Sequence, residues 1–227
     1  MTRRQKIGGV CVITPSITDD SELLEKCDAA LDGGATLLQY RDKTAPAATR
    51  RRRAALLAAL CKKKQTPLII NDSIDLAAQC HAAGVHLGRN DGDITMARKR
   101  LGRDALIGAT CHNDLAHARS ATAAGADYCA FGALFTSATK PQTPRCSVAT
   151  IRQARILNVA AIVAIGGITA KNAAVAAAAG ADAVAVIAAV FNAAEIEKST
   201  REIVAAFAEG AEKFKEKKVH ADWDKMA

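Results

Sequence analysis

Aromatic side chains make up only 4% of this 227-residue chain, with one tryptophan and five prolines. Closely packed, alanine-rich helices must therefore supply most of the core. The seven cysteines (Cys11, Cys27, Cys61, Cys80, Cys111, Cys129 and Cys146) are odd in number and never spaced as CxxC. That argues against a disulfide scaffold or structural zinc knot and for a reducing compartment. No long apolar run is convincing as a membrane span. Residues 173–191 carry one charge, Asp182, but alanine dominates and Gly180-Ala181-Asp182 splits the stretch. No secretory signal is expected, because Pro15 and Asp19-Asp20 cut short the apolar stretch that follows Arg3, Arg4 and Lys6. GxSxG, P-loop and GxGxxG motifs are missing too.

What is present is a globular composition, 50% hydrophobic and 24% charged, in a chain long enough for one large domain. The net charge of +8 is local. Residues 41–64 hold nine basic residues (Arg41, Lys43, Arg50 to Arg53, Lys62 to Lys64) against one acid, Asp42, and the rest of the chain is balanced. Such a segment reads as a solvated helix face. With no aromatic residue interleaved to stack bases, a nucleic-acid partner is not expected.

One junction recurs. Gly33-Gly34-Ala35, Ala83-Gly84-Val85, Gly125-Ala126-Asp127 and Gly180-Ala181-Asp182 each follow a helical pattern and precede a short apolar run. Glycine there supplies the left-handed conformation that ends a helix before a strand. Each interval fits two β–α units, which implies eight strands: Val10–Ile13, Thr36–Tyr40, Leu68–Asn71, Val85–Leu87, Leu106–Ala109, Tyr128–Phe131, Ala161–Ile165 and Ala183–Ile187. Helices are expected near 20–32, 46–64, 73–82, 93–101, 113–123, 147–157, 170–179 and 194–217. All eight strands are apolar without strict alternation, as helix-covered sheets are. The expected fold is an α/β, single (β/α)₈ TIM barrel over 1–214, with a charged extension at 215–227. A doubly wound open sheet is the runner-up.

Barrel enzymes place their active sites at the C-terminal strand ends. Here those ends read Thr14, Gln39 to Lys43, Asn71-Asp72, His86 to Asp91, Thr110, Gly132, Gly166 to Thr169 and Ile187-Ala188. Gly166-Gly167, with Thr169 as N-cap of the helix behind, suits a phosphate. The long loop from Gly132 to Cys146 offers Ser137, Thr139 and Lys140. Asp72 and Asp91 end neighbouring strands, where a carboxylate pair suits Mg²⁺ shared with a diphosphate. Either aspartate could instead cap the helix that follows. His86 reads as a satisfied core histidine. His81, His112 and His117 lack ligand spacing, and Cys111 lacks partners for a catalytic thiol.

Together these residues resemble the thiamine-phosphate synthase (thiamine-phosphate pyrophosphorylase) family over about 9–192. The matching motifs are QYRDK at 39–43, ND at 71–72, HLGxxD at 86–91, GxxFxxxTK at 132–140, and GIT and GAD around strands seven and eight. The resemblance implies condensation of 4-amino-5-hydroxymethyl-2-methylpyrimidine diphosphate with 4-methyl-5-(2-phosphoethyl)thiazole, giving thiamine phosphate and diphosphate. By position it implies Gln39, Arg41, Lys43, Asn71, Thr110 and Lys140 for the pyrimidine diphosphate, with Arg41, Lys43 and Lys140 assisting its departure. It implies Asp72 and Asp91 for Mg²⁺, and Ser137, Thr139, Gly167, Ile187 and Ala188 for the thiazole phosphate. Family members commonly have proline at positions 133 and 136, threonine at 137, serine at 110 and 188, and glutamine at 89. This chain has Ala133, Thr136, Ser137, Thr110, Ala188 and Arg89. The expected setting is cytoplasmic, with small-molecule substrates, no membrane, and a homo-oligomer left open. A thiazole tautomerase of the same superfamily and a non-catalytic regulatory barrel stand as alternatives.

Overall fold

The computed structural model describes residues 7–135 and 146–223, with side chains through residue 216. Its strands are β1 (Gly9–Ile13), β2 (Leu37–Tyr40), β3 (Leu68–Asn71), β4 (Gly84–Leu87), β5 (Leu106–His112), β6 (Tyr128–Phe131), β7 (Ala161–Ile165) and β8 (Ala183–Val186). All pair in parallel with their sequence neighbours, and β8 closes on β1. Alternating with them are α1 (Asp20–Asp32), α2 (Ala47–Lys63), α3 (Ile74–Gln79), α4 (Ile94–Leu101), α5 (Leu115–Ala123), α6 (Val148–Ile156) and α7 (Ala173–Ala178). A short α8 (Ala188–Phe191) and a long α9 (Ile196–Trp223) follow β8. The expected barrel is the observed one.

Every second strand residue faces inward, in one phase around the ring. Cys11, Ile13, Leu37, Ile69, Leu106, Tyr128, Ala130, Val163, Ala183 and Ala185 form the inner cluster. The alternate residues, such as Leu38, Ile70, Ile107 and Phe131, pack outward against the helices in a larger cluster. Barrel interiors are usually filled by bulky branched side chains. Here Cys11, Ala130, Ala183 and Ala185 leave part of the interior open.

The helices start where a short polar side chain can take an orphan backbone N–H. Asp19, Ser73, Asp93, Asp114 and Ser147 each accept from an N–H of the first turn. The alternative of Asp72 or Asp91 as a cap therefore falls: Ser73 caps α3 and Asp93 caps α4. Thr169 is not the cap it was expected to be either. The α7 helix begins later, at Ala173 behind Asn172, whose carboxamide oxygen instead accepts from the Thr169 N–H at 2.8 Å.

Gly34, Gly125 and Gly180 are left-handed as expected, but Gly84 is not. It lies inside β4, where a Cβ would stand 1.8 Å from the Leu106 carbonyl oxygen; close approach to β5 demands glycine, and His81 takes the left-handed turn. The GAD junctions carry a further device. Asp127 accepts the Ile107 N–H at 2.8 Å and pairs with Arg98 at 2.6 Å, while Arg98 also donates to the Gly125 carbonyl. Asp182 repeats it with the Ile162 N–H at 2.7 Å and Arg155 at 2.7 Å, Arg155 donating to the Gly180 carbonyl at 2.9 Å. Two carboxylates thus staple strand starts to the preceding helices.

The basic segment is only partly a solvated face. Arg53 is 4% exposed and donates to Asp20 at 2.7 Å, to Asp42 at 2.9 Å and to the Thr18 carbonyl. Arg52 reaches Asp20, and Lys64 reaches Asp28 and Asp32. Acids from α1, more than thirty residues away in sequence, offset these charges. Residues 173–191 fold as α7, β8 and α8, and among the described residues no helix is long and apolar enough to cross a membrane. The last helix continues through residue 214, where the charged extension was expected to begin.

Asp127→Ala leaves the Ile107 N–H without its side-chain acceptor and removes the carboxylate partner of Arg98, in a site whose aspartate side chain is 7% exposed. A loss of about 3 kcal/mol is expected, read as a lower midpoint in urea unfolding at unchanged slope.

Candidate active site at the barrel mouth

The inward phase that packs the barrel interior emerges at its C-terminal rim as polar groups. A cavity of about 600 Å³ opens there, within the usual range for small-molecule sites. Gln39, Arg41, Lys43, Asn71, Asp72, Asp91, Thr110, Ile187 and Ala188 all line it. Gly167 does not; its neighbour Gly166 does. Ser137, Thr139 and Lys140 lie outside the described residues.

The tips of β3 and β4 bring two carboxylates together. Asp72 follows β3 in a left-handed conformation (φ 65°), and its N–H donates to the His86 carbonyl at 2.8 Å, tying it to β4. Non-glycine residues reach that region at some cost, and such strain concentrates at functional sites. Asp91 comes from the loop after β4 and accepts from the Gly88 N–H at 3.1 Å. A Cβ on Gly88 would sit 2.2 Å from that same carboxylate oxygen, so only glycine leaves Asp91 its place. The Asp91 carboxyl is held above its ordinary range, first by desolvation and then by the Asp72 carboxylate within hydrogen-bonding reach. Lys43 and the Gly88 N–H pull it the other way. The Lys43 ammonium lies 3.1 Å from Asp72.

Such a pair suits a hard divalent cation. Magnesium takes one or two protein carboxylates and completes its shell with water and phosphate oxygens. Two carboxylates brought this close, with Asp91 already held above its ordinary range, provide that donor set. Among the described residues no group of three or more His, Cys, Asp or Glu could hold a metal ion.

The tip of β2 is organised from behind. Gln39 donates to the Asn71 carboxamide oxygen at 3.0 Å, and the Arg41 N–H donates to the Thr14 hydroxyl at 2.9 Å. Between the two cations Arg41 and Lys43, Asp42 turns away from the cavity. Its carboxylate, 4% exposed, accepts from Arg53, from the Thr44 and Ala45 N–H groups and from the Thr44 hydroxyl. Those bonds hold its proton affinity down, against the desolvation that raises it.

On the far side, Gly166 and Gly167 both have positive φ, and a Cβ on Gly166 would lie 2.6 Å from the Ala133 backbone. Arg89 turns to Asp114 at 2.5 Å rather than to the carboxylate pair. Cys111 is fully buried, with its thiol proton held by Cys129 and by burial, which leaves no nucleophile there. His86 is satisfied, as expected of a core histidine: its ring nitrogens meet Tyr128 Oη at 3.1 Å and Thr110 Oγ1 at 2.8 Å. Burial pushes its pKa down to about 4, against the opposing pull of Asp91. Yet His86 and Tyr128 also line the cavity. Tyr128 escaped the sequence reading because an apolar strand hides which phase points inward. Its pairing with Gly108, opposite His86, was the available signal.

Known proteins match this chain in sequence and in fold. The family model described as thiamine monophosphate synthase matches residues 10–190. A thiamine-phosphate synthase of Methylobacillus flagellatus is 52% identical over 204 residues, spanning 89% of this chain and 97% of the relative. One from Chromobacterium violaceum is 47% identical, with the same two coverages. The solved thiamine phosphate pyrophosphorylase of Pyrococcus furiosus superposes with a TM-score of 0.81 at 30% identity, covering 92% of this chain and 99% of that one. The chain belongs to the thiamine monophosphate synthase family.

Proposed function

We propose that the chain performs its family's condensation at the barrel mouth. It joins 4-amino-5-hydroxymethyl-2-methylpyrimidine diphosphate to 4-methyl-5-(2-phosphoethyl)thiazole and releases thiamine phosphate and diphosphate. The observation that carries this reading is the Asp72–Asp91 pair beside Lys43, facing the cavity that Arg41 also lines. Gln39 and Asn71, hydrogen-bonded to each other, present amide groups to the pyrimidine end. Arg41, Lys43 and the Thr110 hydroxyl face the diphosphate, with Lys140 assigned there by family resemblance. Gly167 with its neighbour Gly166, and Ile187-Ala188, form the opposite wall for the thiazole phosphate, with Ser137 and Thr139 completing it by resemblance.

The substitution is dissociative. The C–O bond to diphosphate breaks, and its electron pair leaves with the phosphate oxygen. The pyrimidine ring delocalises the resulting methylene cation, and the thiazole nitrogen lone pair then closes the C–N bond. No proton needs to move, which accords with a neutral, buried His86. Held by Asp72 and Asp91, Mg²⁺ would supply positive charge against the leaving diphosphate. Arg41 and Lys43 stabilise the same developing charge from fixed positions, usually the largest catalytic effect. A tautomerase acting on a thiazole carboxylate phosphate needs neither carboxylate pair nor diphosphate clamp. Free cysteines throughout support a cytoplasmic setting.

Incubation with both substrates and Mg²⁺, followed by assay of thiamine phosphate, tests the reading. EDTA, or Asp72→Ala with Asp91→Ala, is expected to abolish product. Removing the Arg41 or Lys43 cation should lower kcat on the order of 10²-fold; undiminished turnover in any of these would refute the assignment. Gly88→Ala should raise the Mg²⁺ concentration giving half-maximal rate on the order of tenfold, by displacing Asp91. Its melting temperature should change little.

A further inference from the structure

Behind Thr110 stands a pair of buried side chains that the reaction itself does not use. His86, Gly108 and Tyr128 are register partners across β4, β5 and β6. Gly108, between the other two, has no side chain: a Cβ there would lie 2.0 Å from Tyr128 Cζ and 2.4 Å from its hydroxyl. That gap lets the rings stack, centroids 5.4 Å apart and planes 22° apart. The result is one line of hydrogen-bonding groups, from Tyr128 Oη to His86 Nδ1 at 3.1 Å and from His86 Nε2 to Thr110 Oγ1 at 2.8 Å.

The direction of the protons along this line follows from what each group can do. Among the described residues, His86 is the one partner of the Tyr128 hydroxyl, which is buried in a residue only 5% exposed. A buried O–H without an acceptor is costly. The phenol therefore donates to Nδ1, which must be bare, and the ring proton sits on Nε2. Nε2–H donates to Thr110 Oγ1, filling its acceptor role. The Thr110 proton is then left to point into the cavity, whose wall Thr110 forms. The opposite tautomer would turn the Thr110 proton back onto His86 and present an oxygen lone pair to the cavity. A lone pair there would repel an anion.

We infer that Tyr128 and His86 are positioning residues that lock Thr110 as a hydrogen-bond donor toward the departing diphosphate. This rests on the reading of Thr110 as a diphosphate-facing hydroxyl, and it makes that hydroxyl selective for oxyanions rather than for any polar group. The burial that keeps His86 uncharged is consistent with it.

Two measurements on the full chain test the relay. Long-range ¹H–¹⁵N spectra, with His86 assigned by signal loss in His86→Gln, read the tautomer without any turnover. The Nε2–H form is expected in the wild type and a mixture in Tyr128→Phe; an Nδ1–H ring in the wild type would overturn the inference. In kinetics, Tyr128→Phe should lower kcat roughly tenfold, the worth of one such bond, with KM for the pyrimidine diphosphate changed less. In a Thr110→Val background the same substitution should cost less than twofold, and in Thr110→Ser the full loss should return. Equal losses in the wild-type and Thr110→Val backgrounds would mean that Tyr128 merely supports the fold. A chain with the Nε2–H tautomer that makes no thiamine phosphate would refute the proposed reaction and leave the relay standing. An active chain with the other tautomer would do the reverse.

Discussion

The Asp72 and Asp91 carboxylates meet at adjacent strand tips, and much of the mouth is arranged to keep them there. Left alone, Asp72 and Asp91 would separate, because like charges within hydrogen-bonding reach disfavour ionisation together. Three local constraints prevent it. The left-handed backbone at Asp72 is pinned by its N–H to the His86 carbonyl at 2.8 Å. The bare Gly88 leaves room for the Asp91 carboxylate and donates to it at 3.1 Å. Lys43, 3.1 Å from Asp72, offsets part of the repulsion.

The scaffold's stability is kept away from this rim. At the strand starts, Asp127 and Asp182 each fix a backbone N–H of the preceding strand and an arginine of the preceding helix. Barrels commonly separate a stabilising face from a catalytic one. Between the two faces the interior is only partly filled, because Cys11, Ala130, Ala183 and Ala185 occupy inward positions. The cavity reaches these residues as well as the rim, so their small side chains give it depth.

The eight-strand barrel was legible because glycine-ended helices and apolar strands repeat, and because no composition break interrupts them. The polar cluster at the strand tips was legible for a related reason: Asp72, Asp91, Arg41 and Lys43 are polar where packing asks for little, and all four line the cavity. What escaped depends on contacts distant in sequence. Arg53 read as one cation on a solvated face, yet its partner Asp20 lies 33 residues upstream. Gly84 read as a helix terminator, yet its neighbour is the Leu106 carbonyl of the next strand. Thr169 read as a cap because it stands just before an alanine run, while Asn172, three residues on, takes the cap position. Tyr128 read as one more strand residue, since nothing local shows that Gly108 clears its path.

Asp42 shows how a charge that never touches substrate can shape the site. It sits between Arg41 and Lys43, where a free carboxylate would neutralise the cations that a diphosphate needs. The fold removes it by saturation. Its carboxylate takes one guanidinium N–H from Arg53, two backbone N–H groups and a hydroxyl, and its side chain is 4% exposed. Arg53 in turn spends its other donors on Asp20 and the Thr18 carbonyl, anchoring the loop after β1. The same bonds that withdraw the negative charge also fix the backbone on both sides of it. The Arg41 N–H bond to the Thr14 hydroxyl, at 2.9 Å, braces the same loop from β1, so both cations stand on a held backbone. The clustered basic charge of the sequence is therefore not one uniform face: Arg53 is buried and holds the loop, while Arg41 and Lys43 line the cavity.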